Sequence, residues 1–239
     1  MSRFANKHVF VTGGSGGIGR AAALAFAREG ATVWIGYAKN RAAAEEVAAL
    51  AGTATAVQID VTDQASVEAA VAGKPIDVLV NAAGVVRNAL FALSEPSDWQ
   101  DPLLVNVGGS LRVTRAVVRA MLAAQRGVVI NIGSVAGLRA SPGQAGYSAS
   151  KGAIEALTRT LGAELAPRGI RVNAVVPGLI ATGMASRLDR RAIADHLARI
   201  PLKRMGTPEE VSELVLFIAS DAASYVIGQS FVVDGGLSL

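Results

Sequence analysis

Tyr147-Ser148-Ala149-Ser150-Lys151 sets a phenol and an ammonium four residues apart. On a helix that spacing brings both side chains to one face. Tyrosine is a poor acid near neutral pH, with an ordinary pKa of about 10. A neighbouring ammonium stabilises the phenolate and so makes proton exchange with an alcohol oxygen feasible. Such a pair is common by chance and says little alone. Thirteen residues before Tyr147, Ser134 ends Asn131-Ile132-Gly133-Ser134 and could donate a hydrogen bond to a carbonyl oxygen in the same chemistry. Asn106 is polar within a mostly apolar stretch. Taken singly it reads as a satisfied helix-interior amide.

A glycine-rich string near the start offers a place for a partner in such chemistry. Thr12-Gly13-Gly14-Ser15-Gly16-Gly17-Ile18-Gly19 follows a β-branched run and opens a helical one. Glycines there permit a tight turn and close approach of backbone to a pyrophosphate, which the helix N-terminus attracts. Asp60-Val61 and Asn81-Ala82-Ala83-Gly84 follow two later strands, at the edge where a nucleotide would lie. The Asp60 carboxylate could accept a hydrogen bond from an adenine amino group. Ala82, Ala83 and Gly84 are small enough for the adenosine ribose to rest on backbone. The same residues also fit a helix N-cap and an ordinary turn. At the end of the second strand, Ile35-Gly36-Tyr37-Ala38-Lys39-Asn40-Arg41 has no acid and finishes basic. An acid there would hold free ribose hydroxyls, whereas Lys39, Asn40 or Arg41 could bind a 2′-phosphate. The expected cofactor is therefore NADP(H), with NAD(H) as the alternative. Lys39 and Arg41 also fit as solvated charges at a helix start. Lys151 could hydrogen-bond the nicotinamide ribose.

These residues must be positioned by strands and helices that alternate along the whole chain. His8–Thr12, Thr32–Ile35, Thr55–Ile59, Ile76–Val80, Val128–Asn131, Ile170–Val175 and Ser230–Val233 read as strands. Gly17–Arg28, Arg41–Leu50, Asp63–Ala72, Leu103–Ala124, Tyr147–Ala166 and Pro208–Ser220 read as helices. Parallel strands need crossover helices, so the pattern predicts an α/β fold: a Rossmann-type, doubly wound, seven-stranded parallel sheet with helices on both faces. With 239 residues and no linker, repeat or low-complexity segment, one domain over 1–239 is expected.

Composition narrows the function classes. The chain is 51% hydrophobic and only 5% aromatic, so Val, Ala, Leu and Ile must fill the core. There are no cysteines and only two histidines, His8 and His196, which leaves no thiolate site and argues against a metal. No apolar run reaches the roughly 18 residues a membrane span needs, and Met1–Lys7 is too short and polar for a signal peptide. A cytoplasmic, soluble protein is expected. The net charge of +4 comes from scattered basic residues without interleaved stacking aromatics, so nucleic acid is not an expected partner.

The motifs together resemble the short-chain dehydrogenase/reductase family from Val9 to Gly236. The glycine string, with glycines at 13, 17 and 19, resembles its TGxxxGIG form, and Asn106, Ser134, Tyr147 and Lys151 match its Asn-Ser-Tyr-Lys tetrad. The resemblance implies that Asn106 holds a water linking Lys151 to solvent as a proton relay. It also implies cofactor contacts at Asp60, Val61 and Asn81–Gly84. In Pro177-Gly178-Leu179-Ile180-Ala181-Thr182 it places residues beside the nicotinamide carboxamide and diphosphate. Gly183–Ile200 resembles the mobile substrate lid, and its Met184, Leu188, Ile193 and Leu197 could face an apolar substrate or pack on the core. Leu138, Ala140, Gln144, Ile180 and the lid would shape the pocket, with Ser134, Leu138, Gln144, Tyr147 and Met184 as candidate substrate contacts.

Within the family the likeness is greatest to 3-oxoacyl-[acyl-carrier-protein] reductases, in Pro201–Val211, Tyr225–Gln229 and Val233–Gly236. That branch implies reduction of a 3-oxoacyl thioester, linked to acyl carrier protein or CoA. Arg168 stands where carrier-binding relatives keep arginine, and Arg126 is close to a second such position, which here is Val128. Gly16 departs from the arginine common in NADP-dependent relatives. A free ketone or alcohol, or a secondary-metabolite acyl chain, fits the same residues. A non-catalytic dinucleotide sensor is a remote alternative, since such a protein would be expected to lose Tyr147, Lys151 or Ser134. Relatives are commonly homotetramers, and the apolar surfaces of Leu103–Ala124, Tyr147–Ala166 and Ser230–Val233 suit that assembly.

Overall fold

Apolar β-branched runs with no polar face need cover on both sides, and here they pair in one parallel sheet between two helical layers. The computed structural model describes residues 2–183 and 190–239. Its strands are β1 (His8–Thr12), β2 (Thr32–Tyr37), β3 (Ala54–Gln58), β4 (Val78–Asn81), β5 (Gly127–Ile132), β6 (Ile170–Pro177) and β7 (Ser230–Val233). They lie in the order β3-β2-β1-β4-β5-β6-β7, and every neighbouring pair is parallel. The order reverses between β1 and β4, so the connections that follow these two strands lead to opposite sides, which is where such sheets form a crevice at the C-terminal edge.

The helices are α1 (Gly17–Arg28), α2 (Arg41–Ala51), α3 (Gln64–Val71), α4 (Pro96–Pro102), α5 (Ser110–Ala124), α6 (Ala145–Leu165), α7 (Arg190–Arg199) and α8 (Pro208–Ala219). Side chains alternate across a strand, so β1 sends Val9 and Val11 to one face and Phe10 to the other. The first face joins Ile35, Val80 and Ile130 to Phe26 of α1, Val47 of α2 and Leu216 of α8. The second joins Phe10, Leu79 and Val129 to Val67 of α3, Val113 and Val117 of α5 and Leu165 of α6. Phe10, Leu79 and Ile130 are fully enclosed, and each such side chain contributes roughly 1.5–3 kcal/mol by leaving water.

Capping residues set where several helices begin. Asn40 Oδ1 accepts from Ala43 N at the head of α2, Asp63 from Ser66 N at α3, and Thr207 from Glu210 N at α8. Pro208 then occupies the first turn of α8, where its missing N–H costs nothing.

The expected strands and helices stand within two residues of their expected ends, with one exception. The helix expected over Leu103–Ala124 is divided. Leu103–Gly109 is π-helical, and the α-helix begins at Ser110. Before it lies α4, which the sequence did not suggest, opened by Pro96 and a reciprocal Glu95–Asp98 capping box. No helix among the described residues is long and apolar enough to cross a membrane.

Candidate active site

The C-terminal ends of β1, β4, β5 and β6 meet around the crevice, and each brings one part of the site. After β1, Gly13 (φ +66°) turns the chain so tightly that a Cβ there would stand 2.9 Å from the backbone of Ala83. At Gly19 a Cβ would stand 2.4 Å from the Gly13 carbonyl oxygen. Helix α1 then starts at Gly16 with no side-chain cap and no acid in its first turn. Its first N–H groups are left for an anion, at the positive end of the helix dipole. Thr182, in the turn after β6, faces this loop: a Cβ on Gly17 would lie 3.6 Å from the Thr182 methyl. A bare backbone cradle, an uncapped helix end and a facing threonine suit the diphosphate of a dinucleotide. Ser15 and Ile18 lie in the same loop and first turn.

Thr12 was not among the expected site residues, yet it ties the two halves of the crevice. Its Oγ1 accepts from Ala82 N and Ala83 N, each at 3.1 Å, and donates to Val80 O at 3.4 Å. The turn after β4 is thereby fixed to the end of β1. Only the position of Thr12, immediately before the glycines, could have flagged it.

The adenosine end is built less directly than expected. Asp60 Oδ1 accepts from Thr62 N at 2.9 Å and Thr62 Oγ1 at 2.7 Å, which holds its carboxyl below the usual range. Beside it, Val61 is buried. Asn40 is occupied as the α2 cap, and Arg41 is paired with Glu45 at 2.7 Å. Lys39 is exposed, has no ion pair at hydrogen-bonding distance among the described residues, and its charge helps depress Asp60. Tyr37 and Ile180 are core residues. The Asn81 side chain points behind the crevice, donating to Thr114 Oγ1 and Asn131 Oδ1 at 2.9 Å. It acts as an internal strut, and a cofactor would meet only its backbone.

The candidate reacting groups lie one strand further along. Lys151 is 7% exposed, and its Nζ donates to Ile132 O at 2.7 Å and lies 5.7 Å from the Tyr147 ring centroid. Burial brings Lys151 down to about 8, while the charge of Glu155 pulls the other way. The Tyr147 phenol differs from the expectation: burial pushes it up, and the opposing influence is a hydrogen bond with Ser134, not Lys151. The reason is geometric, since the ammonium is directed at the β5 carbonyl. Ser134 extends from the end of β5 and also accepts from Ala136 N at 3.2 Å.

Asn106 lies inside the π-helical turn and is 1% exposed. Its Oδ1 accepts from Val85 N at 2.8 Å, and its Nδ2 donates to Val85 O at 3.0 Å and Ser150 Oγ at 2.9 Å. The side-chain amide is therefore fully engaged in joining the β4 turn to α6. Any contact with a relayed water falls to its main chain. Gly84, in the same turn, is exposed and borders the ammonium: a Cβ there would stand 3.9 Å from Lys151 Nζ.

On the substrate side, Leu138 is half exposed beyond Ser134. Gln144 is fixed by Ser141 Oγ and Asn88 Oδ1 at 2.6 and 2.9 Å. Met184 and Leu188 lie outside the described residues. Leu197 packs with Ile200 against the core. Gly178, after β6, is held by Val233 O at 3.0 Å. Arg126 and Arg168 come to the same edge of the sheet, but just before β5 and β6 begin. Ser134 follows the far end of β5, so neither arginine borders this chain's crevice.

Comparison with known proteins gives consistent likenesses over nearly the whole chain. The family model described as Enoyl-(Acyl carrier protein) reductase matches residues 13–238. A relative from Thermotoga maritima, 3-oxoacyl-[acyl-carrier-protein] reductase FabG, is 42% identical over 98% of this chain and 99% of its own length. The solved structure of a 3-oxoacyl-[acyl-carrier protein] reductase from Brucella melitensis superposes with a TM-score of 0.95 at 34% identity, covering 100% of this chain and 93% of that one. A putative NAD(P)-dependent gluconate 5-dehydrogenase from Beutenbergia cavernae, solved with bound NADP, gives a TM-score of 0.92 at 38% identity, covering 98% and 97%.

Proposed function

We propose a 3-oxoacyl thioester reductase, on the premise that this chain belongs to the short-chain dehydrogenase/reductase family. The observation that carries the reading is the juxtaposition of Ser134, Tyr147 and buried Lys151 at a strand edge facing an uncapped glycine-rich helix end. The substrate class rests on likeness to the Thermotoga and Brucella reductases.

In this reading the glycine loop (Gly13, Ser15, Gly17, Ile18, Gly19) and Thr182 hold the diphosphate. Asp60, Val61 and the Asn81–Gly84 backbone hold the adenosine. The turn Pro177, Gly178 and Ile180 flanks the nicotinamide. The bound reduced nicotinamide supplies the hydride. Ser134 donates a hydrogen bond to the ketone oxygen and polarises it. Tyr147, a phenol protonated at neutral pH whose burial pushes it further up, transfers its proton to that oxygen as negative charge develops there. The Lys151 ammonium, 5.7 Å from the Tyr147 ring centroid in the resting site, is the nearby positive charge available to the resulting phenolate, and the Asn106 side chain holds the turn after β4 against α6.

NADPH is the favoured cofactor because no acid stands at the end of β2 to repel a 2′-phosphate, and Lys39 is unengaged. Arg41 can join it, since an exposed pair such as Arg41–Glu45 is worth little. The reading stops at the thioester: Arg126 and Arg168 are remote from this crevice, so carrier contact is no part of it. A homotetramer is proposed on the exposed Leu103, Leu104 and Leu111 along one helical surface and the exposed Phe217, Tyr225 and Val232 around α8 and β7.

The test is oxidation of NADPH and NADH with an acetoacetyl thioester. Oxidation of NADPH, with NADH much slower, supports substrate and cofactor together. Loss of neither cofactor, combined with oxidation of a free hydroxy acid, would replace the reading by that of the gluconate dehydrogenase relative.

A further inference from the structure

A second charged group lies behind Lys151, and the proposed chemistry does not use it. Tyr147, Lys151 and Glu155 follow one another at four-residue spacing on α6 and so share one face. Glu155 is 4% exposed. Its Oε2 accepts a hydrogen bond from Ser230 Oγ of β7, while its Oε1 has no hydrogen-bond partner among the described residues. A carboxylate this deep is costly unless an opposite charge compensates it, and one hydroxyl is weak compensation.

The neighbouring strand is shaped to admit it. A Cβ at Gly133 would stand 2.6 Å from Glu155 Oε1, so any larger residue there would displace the carboxylate. Gly133 lies between Ile132, whose carbonyl receives Lys151 Nζ, and Ser134, whose hydroxyl meets Tyr147. The carboxylate thus reaches the chain just past β5, between the two residues that meet Lys151 and Tyr147.

We infer that Glu155, held by Ser230, is a positioning residue whose carboxylate keeps the Lys151 ammonium charged and in place, linking strand β7 to the site. The inference rests on the role given to Lys151 above. The field of Glu155 on Lys151 opposes the effect of burial. Around the carboxylate, α6 itself presents Lys151 and Tyr147. Just past β5 stand Gly133 and Ser134, with Val175 and Val176 of β6 against Gly133, and β7 presents Ser230. Of these only Lys151 and Tyr147 titrate above neutral pH.

Glu155→Gln keeps the shape and the bond to Ser230 but removes the charge. Thermal midpoints of the full chain would be measured from pH 6 to 10, with no substrate needed. Relative to wild type, Glu155→Gln is expected to lose most stability below about pH 8, where Lys151 carries its charge. The gap should narrow as the pH rises further. In a Lys151→Met background the gap should be the same at every pH. In kinetics, the alkaline fall of kcat should move to lower pH by about half a unit or more, with KM for the thioester unchanged. Ser230→Ala removes only the hydroxyl and should shift both profiles in the same direction by less. Parallel stability curves for wild type and Glu155→Gln, differing by a constant offset, would mean a merely structural carboxylate and overturn the inference. If the chain reduces no thioester, the stability curves still decide the matter, so the two failures are separable.

Discussion

Because burial raises the Tyr147 phenol and Ser134 only partly offsets it, the free enzyme presents a protonated tyrosine through the neutral range. That state suits a proton donor in reduction. Tyr147→Phe keeps the ring packing and removes the proton, so turnover should fall on the order of 10³-fold. NADPH binding, followed by quenching of protein fluorescence, should stay within about threefold. Wild-type turnover in this variant would end the assignment. Lys151 makes a separate statement about stability. Its folded value of about 8 lies below the ordinary 10.5, so the fold disfavours the ammonium. That cost is fully present below pH 8 and is relieved as pH rises toward 10.5, a swing of about 3 kcal/mol. Unfolding midpoints in urea should therefore rise over that window in wild type more steeply than in Lys151→Met. Parallel profiles would contradict the burial argument. The residue types and spacing of this group were legible in the sequence. The direction of the tyrosine shift was not, because it depends on where Lys151 Nζ points, and that is set by the Ile132 carbonyl.

The elements that hold these residues were legible to the extent that they follow local periodicity. Strands β1 and β7 stand where short apolar, β-branched runs put them, and α8 starts at its Thr207 cap. The stretch from Leu103 was misread as one α-helix, because apolar spacing cannot distinguish an α turn from a π turn. The wider turn accompanies three hydrogen bonds from Asn106 to Val85 and Ser150, residues 21 and 44 positions away. Removing them with Asn106→Ala should cost about 3 kcal/mol in urea unfolding, at about 1 kcal/mol per buried bond. If the segment then relaxes to a plain α-helix, kcat should fall more than KM rises. An unchanged stability would show that the π turn is held by something else. The strut formed by Asn81, Asn131, Thr114 and Thr158 was equally hidden. Its members sit on different elements and meet only across the sheet.

For the whole molecule, the apolar surface left on α5, α8 and β7 leads to a solution mass of about four times 24.4 kDa. Size-exclusion chromatography with light scattering measures this directly, and a single-chain mass would remove the tetramer. Saturating NADPH should raise the thermal midpoint further, since a ligand at about 100 times its Kd adds about 2.7 kcal/mol to the native state. By itself the sequence determined the alternating α/β order, the glycine turn and the spacing of the candidate reacting groups. Each of these is written in local patterns of a few residues: short β-branched runs between helical stretches, glycines at a strand–helix junction, and a four-residue helical step. Tertiary structure decided what those groups experience. Thr12 became a tie across the crevice, Asn81 turned inward, and Arg126 and Arg168 fell at the wrong end of the strands for this chain's own site. Glu155, unremarkable in sequence, emerged as a buried carboxylate one helical turn from Lys151. Desolvation and hydrogen-bond partnership arise only when distant segments close around a side chain, and no local pattern specifies which segments those will be.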